Sequence, residues 1–289
     1  NHDLTVSGGS DRFKYSVSYA GIRSSEIMLA SEYKRDNLSL KLDHKAGERV
    51  ELSFSVRYSD MEILGAGATD QAGATPNDAR VKQTMLFVPI PFNSVGDFDD
   101  TDLSASMTNP LDNVRDNDRQ QLRKRFNLGG SFSWEILDGL VFRTEAGLDS
   151  YVNNDERFYG VTTYYVKNTP TADYQNKPAL EAYERKGDGI RSTNTLNYDF
   201  ADLFGDSGHS LKLLAGQEVL IMKTNTLFNQ VWGFPDFFTG PEAYKLVSQG
   251  HSNSYTNTYN PDDKLLSFFG RVMYDYKGRY LVSATYRAD

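Results

Sequence analysis

Residues 126–150, "FNLGGSFSWEILDGLVFRTEAGLDS", alternate with a period of two on both sides of one turn. One side carries Phe126, Leu128, Phe132, Trp134 and Ile136 and then, past Asp138-Gly139, Leu140, Phe142, Ala146 and Leu148. The opposite side carries Asn127, Ser131, Ser133, Glu135, Arg143, Glu145 and Asp149. A helix cannot hold such a pattern on one face, because its side chains repeat every 3.6 residues, so the segment reads as a β-hairpin. Only two environments suit a sheet with one apolar and one charged face. Either the apolar side packs on a dry core and the other meets water, or the apolar side meets lipid while the charged side lines a wet lumen.

The pattern recurs. Paired alternating segments are expected near 3–23, 35–64, 122–153, 190–222 and 264–287, making ten strands, each pair closed by a short polar turn such as Asp138-Gly139 or Lys277-Gly278. The first pair sets Phe13, Tyr15, Val17 and Tyr19 on one face. The second aligns Leu38, Leu40 and Leu42 with Val50, Leu52, Phe54, Val56 and Tyr58. Between pairs lie longer connections, about 24–34, 65–121, 154–188 and 225–263. Many strands exceed the five or six residues usual in globular sheets, and roughly 9 to 11 tilted residues cross a bilayer core. Short turns at one rim and long loops at the other are the signature of an outer-membrane barrel, whereas a sandwich turns every 8 to 12 residues or so. Many of the 18 tyrosines sit near strand ends, where an interfacial girdle belongs, although aromatic side chains favour strands in any case.

Composition narrows the partners. With 39 acidic and 31 basic side chains the net charge is -8, the wrong sign for a nucleic-acid partner. No run of about 18 apolar residues marks a transmembrane helix, and the negative mean hydropathy does not argue against a barrel, whose strands average lipid-facing with water-facing residues. Zero cysteines exclude disulfides, thiolate catalysis and zinc-thiolate sites. The chain opens directly on a strand, without a basic segment leading into an apolar one, and stops just after another, as expected of a piece of a longer protein.

Catalysis finds no support. His2, His44, His209 and His251 are scattered, and no nucleophile, base and acid converge in sequence, so no enzyme is expected. Residues from Pro76 to Pro89 read as a short helix within the 65–121 loop. Beyond it Asp97, Asp99, Asp100 and Asp102 offer oxygen ligands suited to calcium, but without EF-hand spacing they read first as a solvated acidic loop. No metal or other cofactor is assigned.

Taken in order along the whole chain, the segments resemble a family: the SusC/RagA-type TonB-dependent transporters of the Bacteroidota. "NHDLTVSGGSDRFKYSVSYAGIRSSEIM" followed by "YKRDNLSLKLDHKAGERVELSFSVRYS" is similar to that family's early barrel. So are "VPIPF", "NPL" at Asn109–Leu111 and "GFPDFFTG" at 233–240, and "FFGRVMYDYKGRYLVSATYRAD" at 268–289 is close to a family signature. The resemblance implies a stretch of an antiparallel barrel of about 22 strands in the outer membrane of a Gram-negative bacterium. It also implies a plug, a SusD-like surface lipoprotein over the mouth and energy from TonB through an amino-terminal part that these residues lack. The ligand it implies is an oligosaccharide or, in some branches, a peptide.

Sugar rings stack on aromatics, so the loop aromatics Phe87, Phe92, Tyr164, Tyr165, Trp232, Phe234, Phe237 and Phe238 are the candidate ligand contacts; packing between loops is their competing role. Arg57, Arg143, Glu145, Asp149 and Glu218 belong to the wet face. Other readings remain open at this level: a barrel that binds without importing, and a soluble β-sandwich whose apolar stripes pack together.

Overall fold

The computed structural model describes residues 1–65, 80, 84, 85, 87, 109–169, 171–200, 204 and 207–289. Among them the backbone forms eleven strands: β1 (His2–Gly9), β2 (Phe13–Ser25), β3 (Glu32–Lys45), β4 (Val50–Leu64), β5 (Asn117–Leu137), β6 (Leu140–Tyr159), β7 (Ala179–Asp199), β8 (His209–Trp232), β9 (His251–Tyr259), β10 (Asp263–Tyr276) and β11 (Tyr280–Ala288). Three short helices accompany them: α1 (Pro110–Asp116), α2 (Tyr164–Lys167) and α3 (Gly240–Lys245). All strands join one antiparallel sheet in the order β1-β2-β3-β4-β5-β6-β7-β8-β10-β11, with β9 off that path beside the far end of β8.

Local chemistry closes the hairpins. Lys277 and Gly278 are both left-handed, at φ +55° and +63°, the geometry of a two-residue turn whose twist matches its strands. Arg279 N–H donates back to the Tyr276 carbonyl at 3.0 Å. At Asp138-Gly139 the glycine takes φ +81°, and the register slips between Glu135 and Leu137, leaving Ile136 without an opposing residue.

The register turns the alternation of single strands into two faces of a sheet. Val17, Leu40, Val56, Leu128, Leu148, Ile190 and Ile221 stand opposite one another in turn across β2 to β8. One residue further on in β2, the row reads Ser18, Ser39, Arg57, Asn127, Asp149 and Gly189. A slip of one residue anywhere would exchange these faces, so the apolar rows fix the pairing. The apolar band occupies about nine residues of β5, β6 and β7, which at about 3.3 Å per residue and a tilt near 40° spans roughly 23 Å, the height of a barrel's lipid-facing belt.

Nothing among the described residues covers that band. Leu4, Val6, Leu38, Leu52, Phe54, Ile190, Leu196, Leu266, Phe268 and Val282 are all exposed. A β-sandwich would bury these residues against a second sheet; the structure is a single layer, which sets the sandwich reading aside. The fold is the expected all-β antiparallel up-and-down stretch of a transmembrane barrel, open at β1 and β11.

Two polar amides interrupt the apolar face. Asn194 and Gln217 lie in the row that runs from Phe132 through Thr144 to Phe268. They satisfy each other, Asn194 Nδ2 donating to Gln217 Oε1 at 3.1 Å. Pairing removes most of the penalty of placing amides against hydrocarbon.

The strands run further than the sequence pattern indicates. β5 to β8 hold 20 to 24 residues each and continue past the apolar band at the long-loop end, so the expected loops shrink to 160–178 and 233–250. β9 is a correction: it lies within the stretch 225–263 that reads as loop. In these extensions Asp118, Lys124, Asn154, Glu156, Glu184 and Lys186 occupy the side that is apolar lower down, and period-two contrast is lost although the ladder persists. Charged on both faces, this part stands clear of hydrocarbon.

Candidate functional site

The candidate functional surface has two parts, the polar face and the mouth above it. Alternation alone places Ser53, Ser55, Arg57, Asn127, Ser131, Arg143, Glu145, Asp149 and Arg191 on the polar face, where they line a cavity of about 400 Å³. Ser53 and Ser131 exchange a hydrogen bond at 2.7 Å, Arg143 Nε donates to Glu145 at 2.7 Å, and the Asn127 amide donates to Asp149. On β8 and β10, Glu218 accepts from Thr193 at 3.2 Å and pairs with Arg287 at 2.9 Å, while Arg287 also donates to Ser267 at 2.8 Å. Small residues, Gly129 and Gly147 in β5 and β6, leave room beside these groups. A groove of about 730 Å³ lies on the other face, lined by Leu140, Leu196, Tyr198, Leu213, Val272 and Tyr286. It belongs to the apolar band and suits acyl chains.

At the mouth, one loop folds over each face of the extended strands. On the polar side the 160–178 segment, carrying α2, buries Tyr159, Val166, Ala179 and Trp232. Tyr165 stacks on Tyr159 with centroids 4.1 Å apart and donates to Glu181 at 3.2 Å, to which Tyr159 also donates at 2.9 Å. Trp232 Nε1 donates to the Tyr165 oxygen at 3.3 Å. Burial, reinforced by the Glu181 carboxylate, holds both phenols above the ordinary tyrosine range; the neighbouring Arg157 opposes this at Tyr159. The segment begins at Gly160, where an added Cβ would lie 2.5 Å from Asp116 Cγ; Asp116 in turn accepts from the backbone N–H of Thr162 at 3.0 Å and its hydroxyl at 2.7 Å.

On the other side the 233–250 segment, carrying α3, buries Phe158, Leu180, Val231, Phe234 and Ala243, with Phe238, Tyr244 and Val247 packed around them. Thr239 caps α3, its N–H donating to Glu242 at 3.1 Å. The Tyr244 hydroxyl reaches Asp118 at 3.4 Å and the Glu156 carbonyl at 3.5 Å, and burial drives its pKa up. A third tie is Arg80. Its guanidinium is buried and donates to the carbonyls of Leu29 at 2.8 Å, Asn117 at 2.8 Å and Val114 at 3.2 Å, joining the β2–β3 connection to α1 and β5. α1 itself starts at Asn109, whose side chain accepts from Leu111 N–H at 2.9 Å.

Comparison with known proteins shows what this sheet is similar to. No family model matches the chain. It is 23% identical over 295 residues to TonB-dependent receptor P3 of Formosa agariphila, a match spanning all of this chain and 28% of that protein. TonB-dependent receptor P26 of the same organism is 22% identical over 291 residues, with the same coverage. The chain superposes on the structure of the RagAB peptide transporter with a TM-score of 0.72 at 18% identity, covering 99% of this chain and 31% of that one. The chain is similar in sequence to TonB-dependent receptors and shares the fold of a segment of the RagAB peptide transporter. It spans a little over a quarter of the length of the curated relatives it matches.

On this wall the eight loop aromatics fall into three groups. Trp232 and Phe234 are 6% and 1% exposed, and Tyr165 and Phe238 pack beside them, so these four build the two covers. Tyr164 and Phe237, 39% and 81% exposed, present rings at the mouth. Phe87 is half-buried, whereas Phe92 and the acidic quartet Asp97, Asp99, Asp100 and Asp102 lie outside the described residues. Arg35, Arg119, Arg123 and Arg125 are polar-face residues that the sequence reading passed over. Their signal was present: Arg119, Arg123 and Arg125 keep the parity of Asn127.

Proposed function

We propose that this chain supplies wall and mouth to an outer-membrane importer of an oligomeric solute, powered through TonB. The observation that carries the reading is the two-faced single sheet: an apolar face of bilayer height left uncovered, and a polar face rich in hydrogen-bonding groups. Such a wall requires lipid on one side and water, plug or solute on the other. Oligosaccharide is the ligand we favour, with Tyr164 and Phe237 offering stacking surfaces and the Asn and Ser groups of the polar face suited to sugar hydroxyls. A SusD-like lipoprotein over the mouth and TonB acting on another part of the protein complete the proposed assembly. No bond chemistry is involved. A peptide cargo is the second reading, supported by the likeness to the RagAB peptide transporter.

Deletion of the complete gene tests this, with uptake and growth measured on single glycans and on peptides. Selective loss on one glycan supports glycan import, and selective loss on peptides supports the second reading. Unchanged uptake of every solute, from cells whose wild-type protein resides in the outer membrane, overturns import.

A further inference from the structure

Several cations on the polar face are answered in place by carboxylates: Arg143 by Glu145, Arg287 by Glu218, and Arg119 by Asp155, whose carboxylate accepts from Arg119 Nε at 2.7 Å. One patch differs. Arg35, Arg57, Arg123 and Arg125 line a cavity of about 520 Å³ together with the neutral groups Asn37, Ser39, Ser59 and Asn127, and no carboxylate lines it. The register assembles the patch, because Arg57 stands opposite Asn127, Arg125 opposite Ser59, and Met61 opposite both Arg123 and Arg35.

Parity keeps the acids away. Asp36, Asp60 and Glu62, on the same strands, fall at even positions on the other face, where they meet Arg23, Lys124 and Lys34. Arg35 is oriented by Asn37 at 2.9 Å and Arg123 by Gln121 at 2.7 Å; both acceptors are neutral. Arg57 and Arg125 are exposed, and among the described residues none of the four arginines forms an ion pair. Asp149, across from Asn127, is already engaged by that amide in the adjoining cavity.

We propose that this patch is a binding site for the anionic groups, sulfate or carboxylate, of an acidic oligosaccharide. The inference rests on the import reading for the origin of the ligand. Guanidinium forks pair with planar or tetrahedral oxyanions through two parallel hydrogen bonds, and four of them in one cavity concentrate anions from solution. The interleaved amides and hydroxyls suit the neutral hydroxyls of the same ligand. A chain of net charge -8 has no general excess of cations to spill onto this wall, so the local excess is specific to the patch.

Binding to the purified full-length receptor tests the site, using length-matched dextran sulfate, oligogalacturonate, neutral dextran and heptaglutamate. At least one acidic sugar should bind about tenfold or more tightly than dextran, with an affinity that falls as salt rises, and the double variant R57Q/R125Q should remove that advantage. K124Q, the same charge loss on the opposite face, should leave it intact. Equal affinity for acidic and neutral sugars, or binding unaffected by R57Q/R125Q, overturns the proposal. Binding of heptaglutamate alone overturns the sugar assignment. Unchanged sugar binding with new protease cuts in the plug assigns the patch to the plug instead. Because binding needs no TonB, a receptor that binds acidic sugar but takes up nothing would refute import while leaving the site standing.

Discussion

Single side chains decide which face meets lipid. Leu128 lies in the row from Val17 to Ile221, and Ser131 lies on the opposite face next to Gly129 and Gly147. Leu128→Arg should cost roughly 2 to 4 kcal/mol, as a cation near the hydrocarbon midplane does, whereas Ser131→Arg should change stability little. Urea unfolding in lipid vesicles measures both. The Asn194–Gln217 pair makes a sharper test. Asn194→Val or Gln217→Leu alone strands one amide in an apolar setting and should cost about 1 to 3 kcal/mol, while the double replacement should recover most of the loss. Additive losses in that cycle would show that the two amides do not rely on each other.

Among the elements, the covers at the mouth are stabilised independently of the membrane belt. Ala243 is fully buried against Phe158 and Leu180, so Ala243→Arg forces a long charged side chain into a closed, mainly apolar cluster. Limited proteolysis should then cut within 233–250 while the strands of the belt stay protected. Protection throughout would mean that α3 is held by something other than this cluster. The elements also show where sequence reading reaches and where it stops. The belts of β5 and β6 were legible because lipid and water impose opposite demands at every second residue. Their extensions were not, because residues 117–121 and 154–157 carry polar side chains on both faces, while Phe158 and Tyr159 pack under the two loops and show no alternation of their own. β9, "HSNSYTNTY", was missed for the same reason. Of the mouth aromatics, composition could not tell Trp232 and Phe234, which pack, from Phe237, which is open. That distinction depends on where the 233–250 segment folds back.

For the molecule as a whole, an open sheet with free edges at β1 and β11 exposes unpaired backbone groups that a bilayer cannot satisfy. Expressed alone, residues 1–289 should aggregate or associate through these edges instead of forming a monodisperse monomer in detergent, as analytical ultracentrifugation would show. What the two faces touch distinguishes a lipid-facing wall from any other sheet. Because these residues contain no cysteine, spin labels can be placed one at a time along residues 126–134 of the full-length protein in lipid vesicles, in a background free of any other thiol. Collision with oxygen, which concentrates in lipid, should peak at 126, 128, 132 and 134, and collision with a water-soluble nickel chelate at 127, 131 and 133. The same low accessibility to both reagents at even and odd positions would contradict a lipid-facing wall.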